Sequence, residues 1–253
     1  MLHYVLIFAA ALAAGAINSV AGGGTLITFP TLLAIGIDPK LANGTSTVAL
    51  WPGSVAGTWG YHRELEQADR RLLALIVPCV IGSIVGAWLL VRTPTDVFNH
   101  IIPFLILFAT CLFMAQGTIQ RHFDLASAHH ARSPWLSWTM AFQFVVAVYG
   151  GYFGAGIGIL MLAALSLMGH TDIHQMNGVK NLLATCINGV AAAIFVYKGL
   201  VLWQEATVMI VASIVGGVTG AGLARRMGRQ AVRQLVIAVG FVAAVRTMWT
   251  AFH

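Results

Sequence analysis

The sequence predicts an all-α integral membrane protein built from two inverted repeats of about five hydrophobic segments each. Three observations carry that prediction. The 253 residues are 58% hydrophobic and 9% charged, with a mean hydropathy of +0.84, whereas a soluble domain carries about 25% charged residues. Ten apolar segments follow one another, separated by short polar connections. Two glycine-rich breaks, Gly22-Gly23-Gly24 and a stretch running from Gly150 to Gly158, recur at related places in the two halves.

The segments run at about 2–21, 24–37, 43–61, 72–91 and 98–117, then 135–153, 156–169, 177–197, 206–224 and 231–250. The first lacks a basic start and an A-x-A cleavage signal, so it reads as a retained span and not a signal peptide. It ends in Asn18-Ser19-Val20-Ala21-Gly22-Gly23-Gly24-Thr25. Three glycines in a row cost roughly 1 kcal/mol each in a helix, so they mark a hinge or a close backbone approach. The segments 24–37 and 156–169 both follow a break and sit near the lower limit of length. A spanning helix needs about 20 residues, while 10–14 suits a re-entrant or buried one. These two read as glycine-broken or short helices. Trp51-Pro52 and Pro78 are expected to kink their helices. The G-x-x-x-G pairs Gly82/Gly86, Gly216/Gly220 and Gly53/Gly57 read as helix-packing sites, as do Gly217 and Gly222. Trp135, Trp138, Trp203 and Trp249 fit an interfacial belt. The first membrane repeat covers 1–117, a polar linker 118–134 and the second repeat 135–253.

The halves align residue by residue. A shift of 134 lays the segment from Gly82 on that from Gly216, Asn43-Gly44 on Asn177-Gly178, and Arg92 on Arg226. The glycine breaks pair at a shift of 132. The basic residues then set a topology. With ten crossings, one side receives Arg63, Arg70, Arg71, Arg121, Arg132, Arg225, Arg226, Arg229 and Arg233. The other receives Lys40, Arg92, Lys198 and Arg246. If the two short segments turned back, the split would be nearly even, so the positive-inside rule favours ten crossings with both termini outside. An odd number of crossings per half makes the repeats inverted, and paired interruptions in such halves point to a binding site.

The repeat also locates polar groups. Asn43 meets Asn177, Ser46 meets Lys180, Thr47 meets Asn181, and Ser54 meets Asn188. Offsets of 0, +3, +4 and +11 share one helix face, and a polar face in an apolar span must look at a partner or a cavity. Lys180 is the key residue, because an ammonium in a span faces a partner or a pathway. Snorkelling to the nearby segment end is its alternative reading. With Asn177, Asn181 and Asn188 beside it, and a helix N-terminus close by, it reads as an anion cradle. The substrate-binding set is Asn18, Gly22, Gly23, Gly24, Thr25, Asn43, Thr45, Ser46, Thr47, Gly154, Gly156, Asn177, Lys180, Asn181 and Asn188.

Other chemistries lack their residues. All eight acidic side chains, Asp38, Glu64, Glu66, Asp69, Asp96, Asp124, Asp172 and Glu205, lie in loops or at segment ends. That disfavours a cation pathway and leaves His174, Asp172 or no proton coupling. No Walker A, H-E-x-x-H or G-x-S-x-G sequence is present, so neither ATP-driven transport within this chain nor an intramembrane enzyme is indicated. Cys79, Cys111 and Cys186 form no C-x-x-C, His129-His130 reads as solvated linker, and neither metal nor cofactor is expected. The basic residues are scattered over short loops, which fits orientation signals and not nucleic-acid binding. The expected partners are a small anion and the lipid bilayer, and a homodimer is among the assemblies the sequence allows.

Residues 21–30, Ala-Gly-Gly-Gly-Thr-Leu-Ile-Thr-Phe-Pro, followed by Ala42-Asn43-Gly44-Thr45-Ser46, resemble the first repeat of the TauE/SafE sulfite exporter family. Gly151-Tyr152-Phe153-Gly154-Ala155-Gly156-Ile157-Gly158 and Met176-Asn177-Gly178-Val179-Lys180-Asn181 resemble its second. Ala155, Ile157 and Leu162 depart from that repeat's usual triple glycine and proline. The resemblance implies a bacterial inner-membrane permease moving sulfite, sulfonates or related sulfur-containing anions, mostly outward, with other small organic anions among family substrates. An anion channel, an importer and a non-transport assembly subunit are the alternatives.

Overall fold

The computed structural model describes residues 2–20, 23–66, 70–127, 135–167, 173–227 and 229–252. Among these, the regular structure is entirely helical. The helices are α1 (Leu2–Val20), α2 (Thr25–Ala34), α3 (Pro39–Gly60), α4 (His62–Glu66), α5 (Arg70–Leu73) and α6 (Ile76–Arg92), then α7 (Thr95–Ser127), α8 (Trp135–Tyr152), α9 (Ile157–Leu167), α10 (Ile173–Tyr197), α11 (Trp203–Met227) and α12 (Arg229–Phe252). Setting aside the small α4 and α5, the rest match the ten apolar segments in order. α7 is the exception in extent, running ten residues past 117 into the stretch expected to be linker.

Local chemistry explains where the important helices begin. Asp38 accepts from the backbone N–H groups of Lys40 at 2.9 Å and Leu41 at 3.4 Å. Pro39 occupies the first helical position, where its missing N–H is harmless. α2 is only 10 residues long, or about 15 Å at 1.5 Å per residue. That is half of a bilayer core of about 30 Å, and its start is held by Asn18, whose Oδ1 accepts from Gly24 N at 2.8 Å. α9, with 11 residues, is its counterpart. The break before it is closed by Tyr149, whose hydroxyl donates to Ala155 O at 2.7 Å. Gly23 and Gly154 adopt φ of +107° and +79°, a left-handed region that residues with a Cβ rarely enter.

The two halves pack by exchange. α1 lies along α11, and its repeat mate α8 lies along α6, the mate of α11. α3 crosses its own mate α10, and α7 meets its mate α12. α2 touches α12 just as α9 touches α7. Glycines permit the two closest contacts. A Cβ on Gly15 or Gly216 would strike the carbonyls of Ser213 or Leu12 between α1 and α11; one on Gly86 would strike that of Val148 between α6 and α8. This is the close approach expected of Gly82/Gly86 and of Gly216.

The exterior is apolar. Val77, Ile81, Ile84 and Trp88 on α6, Phe104 and Phe108 on α7, Val145 on α8 and Val242 and Val245 on α12 are all exposed. Water does not tolerate so continuous an apolar surface, whereas lipid does. Trp138, Trp203 and Trp249 are also exposed, in keeping with a boundary belt. Two described stretches, Thr95–Ala115 and Gln175–Tyr197, are each long and apolar enough to cross a membrane. The interior holds Phe29, Phe98, Phe113, Phe153 and Phe195, all fully buried; Phe29 meets Phe153 edge-on at 5.1 Å, joining α2 to the second break.

Candidate functional site

The crossing of α3 and α10 is pinned by side chains that the repeat makes equivalent. Trp51 Nε1 donates to Thr185 O at 3.1 Å, and positions 51 and 185 are related by the shift of 134. Thr58 and Thr185 share a hydroxyl hydrogen bond of 2.9 Å. Serines on the flanking helices finish the clamp in exchanged fashion. Ser83 of α6 donates to Ile187 O of α10 at 2.6 Å, and Ser213 of α11 donates to Ala49 O of α3 at 2.7 Å.

A cavity of about 60 Å³ opens at this crossing, enough for a few waters or one small anion. Its walls come in matched pairs: Thr47 with Asn181, Leu50 with Ala184, Ser54 with Asn188 and Thr25 with Ile157. Gly23 and Gly154 bring both breaks to it, and Asn18 and Phe153 complete its rim. Asn188 Oδ1 lies 3.8 Å from where a Cβ of Gly154 would stand, and Asn181 Nδ2 lies 3.4 Å from the corresponding point on Gly57. Both are ordinary contact distances, so the two amides pack beside the glycines.

Lys180 breaks the matching. It is only 3% exposed, lines the cavity, and donates from Nζ to Asn177 Oδ1 at 3.1 Å. Among the described residues it forms no ion pair. Its mate Ser46 is turned away, sharing a 2.6 Å hydrogen bond with Thr28. An ammonium held by one neutral amide, in a space lined by amides, hydroxyls and glycine backbone, has no compensating charge among the described residues. Removing it from water costs on the order of several kcal/mol, and snorkelling does not describe a side chain so enclosed.

Of the expected site residues, Asn18, Gly23, Thr25, Thr47, Gly154, Lys180, Asn181 and Asn188 come together at the cavity. Asn177 reaches it through Lys180. Gly24 serves the cap on Asn18 instead. Thr45 accepts from Leu202 N at 3.0 Å, and Asn43 donates through Nδ2 to Tyr152 O at 3.1 Å; with Ser46 these three hold helices together away from the cavity. Gly156, with a φ of +78°, shapes the break without lining the space. Gly22 lies outside the described residues, as do His129, His130 and Asp172. Gly53, Ser54 and Gly57 line the cavity without belonging to the expected set. Gly53 and Gly57 read from sequence as packing residues, and their spacing carries no sign that distinguishes the two uses. Ser54 had a signal, its repeat pairing with Asn188. The three cysteines are free.

A helical, lipid-facing chain with a small polar cavity at the crossing of two related halves defines a membrane transporter rather than an enzyme. Residues 7–247 match the Sulfite exporter TauE/SafE family, and the chain belongs to that family. Similar proteins carry transporter names. The probable membrane transporter protein ORF9 of Sinorhizobium is 27% identical over 247 residues, covering 98% of this chain and 93% of that protein. The probable membrane transporter protein of Haemophilus influenzae is 26% identical over 96% of this chain and 94% of its own. The probable membrane transporter protein YfcA of Escherichia coli is 28% identical, covering 96% and 89%. No solved structure matches the chain.

Proposed function

We propose that this transporter is a secondary carrier for a small anion, exporting sulfite, a sulfonate or a related sulfur-containing oxyanion across the bacterial inner membrane. It crosses the bilayer several times, as two inverted repeats in residues 1–117 and 135–253, with the exchanged packing of the halves in support. The observation that carries the reading is Lys180, a buried ammonium whose hydrogen-bond partner among the described residues is a neutral amide. A small oxyanion supplies the missing charge; Asn181, Asn188, Thr47 and Ser54 orient its oxygens, and the glycine breaks offer backbone N–H groups. The word sulfur rests on the family name and on no residue in the cavity.

The test is flux of radiolabelled sulfite, sulfate, thiosulfate and taurine in proteoliposomes. A carrier gives flux that saturates with concentration and is exchanged by unlabelled substrate on the far side. Flux that rises without saturation, with large currents, identifies a channel instead, and no flux of any anion refutes transport of this class.

A further inference from the structure

A second cavity, of about 350 Å³, lies at the far end of α2 from the first. The last turn of α2, the turn into α3, the first turns of α7 and the end of α12 enclose it. This volume is at the lower end of the range for small-molecule sites. Its polar lining is Asp38, Asn99, Arg246, Thr247 and Thr250.

The hydrogen-bonding capacity of that lining is unusual. Arg246 supplies up to five donors, and among the described residues it has neither an ion pair nor a side-chain hydrogen bond. Every other polar side chain offers acceptors. Thr247 and Thr250 spend their hydroxyl hydrogens on their own helix, on Ala243 O at 2.8 Å and Arg246 O at 3.2 Å, leaving oxygen lone pairs. Asp38 uses Oδ1 to cap α3 and keeps its carboxylate charge at the cavity. Asn99 Oδ1 is buried with no partner. Asp38 and Arg246 are both exposed at the cavity, and opposite charges that share a cavity without pairing suit neither a simple anion nor a simple cation. An anion alone leaves the acceptors facing it, and a cation alone faces Arg246.

We propose that this cavity binds a small zwitterion, with its anionic group on the Arg246 guanidinium and its ammonium on the Asp38 carboxylate. A guanidinium holds a phosphate, sulfonate or carboxylate through paired N–H bonds, and an ammonium brings three donors to the Asp38 carboxylate. Either a free zwitterion or the headgroup of a phosphoethanolamine lipid has this chemistry. The site is separate from the Lys180 cavity and does not depend on what that cavity carries.

The test is the melting temperature of the purified protein in detergent with O-phosphoethanolamine, with ethanolamine, and with methyl phosphate. The whole zwitterion should raise it by a few degrees, beyond either half-molecule. Arg246→Gln and Asp38→Asn should abolish the rise, while Lys180→Met should keep it. A parallel arm adds short-chain phosphatidylethanolamine or phosphatidylglycerol. A response to phosphatidylethanolamine with none to the free compound assigns the site to lipid, and a response to the free compound assigns it to a soluble ligand. No response to either zwitterion, equal responses to the half-molecules, an undiminished response in Arg246→Gln, or loss in Lys180→Met overturns the proposal.

Discussion

Positions 46 and 180, which the shift of 134 pairs in the sequence, sit in different surroundings. Ser46 ties α3 to α2 through Thr28, while Lys180 faces the cavity. Ser46→Ala is therefore expected to cost about 1 kcal/mol of stability, the usual worth of a net hydrogen bond, with transport kinetics unchanged. Thr47→Val one residue on should do the reverse, raising KM for the anion with little change in melting temperature. Paired melting and flux measurements on the two variants check this. From sequence, positions 43, 46, 47 and 54 share one face, but the cavity takes 47, 50, 54 and 57. The difference is a small rotation of α3 about its axis. That rotation is set by Thr45 meeting the turn before α11 and by Gly44 packing on Leu200 O, contacts between distant parts of the chain that a local pattern does not encode.

α2 and α9 are the elements whose first residues line the cavity. Asn18 both caps α2 and lines the cavity, so its two roles separate by substitution. Asn18→Ala loses the cap and should destabilise by about 1 kcal/mol. Asn18→Asp keeps an acceptor for Gly24 N–H but brings a carboxylate towards Lys180; it should hold its melting temperature and lose anion affinity severalfold, read by equilibrium binding of the transported anion. Helix contacts give a further test. Gly86→Ala drives a methyl into Val148 O between α6 and α8, an overpacking expected to cost about 1–3 kcal/mol. Gly60→Ala, where a Cβ meets nothing within 4 Å, is the neutral control in the same melting experiment. The G-x-x-x-G pattern alone foretold the Gly82/Gly86 contact correctly. It also marked Gly53/Gly57, which line the cavity instead, because absence of a side chain serves packing and ligand space equally.

At the scale of the whole molecule, the ten segments and the buried lysine were legible in the sequence, since hydropathy and an ammonium in an apolar span are local and strong signals. The second cavity was not, because Asp38, Asn99 and Arg246 come from three distant helix ends and no repeat pairing links them. If all ten segments cross, cysteines introduced at the termini should label from outside and those in 118–134 only from inside; labelling of linker and termini from one side refutes the inverted arrangement. The central claim is that Lys180 supplies the charge that draws the anion into the cavity between α3 and α10. The most direct measurement is saturable anion flux into proteoliposomes carrying Lys180→Met beside the unmodified protein. Lys180→Met should melt at the same temperature or higher, because an unpaired buried charge is removed, while flux of every accepted anion falls at least tenfold. A folded Lys180→Met protein with unchanged flux would contradict the claim.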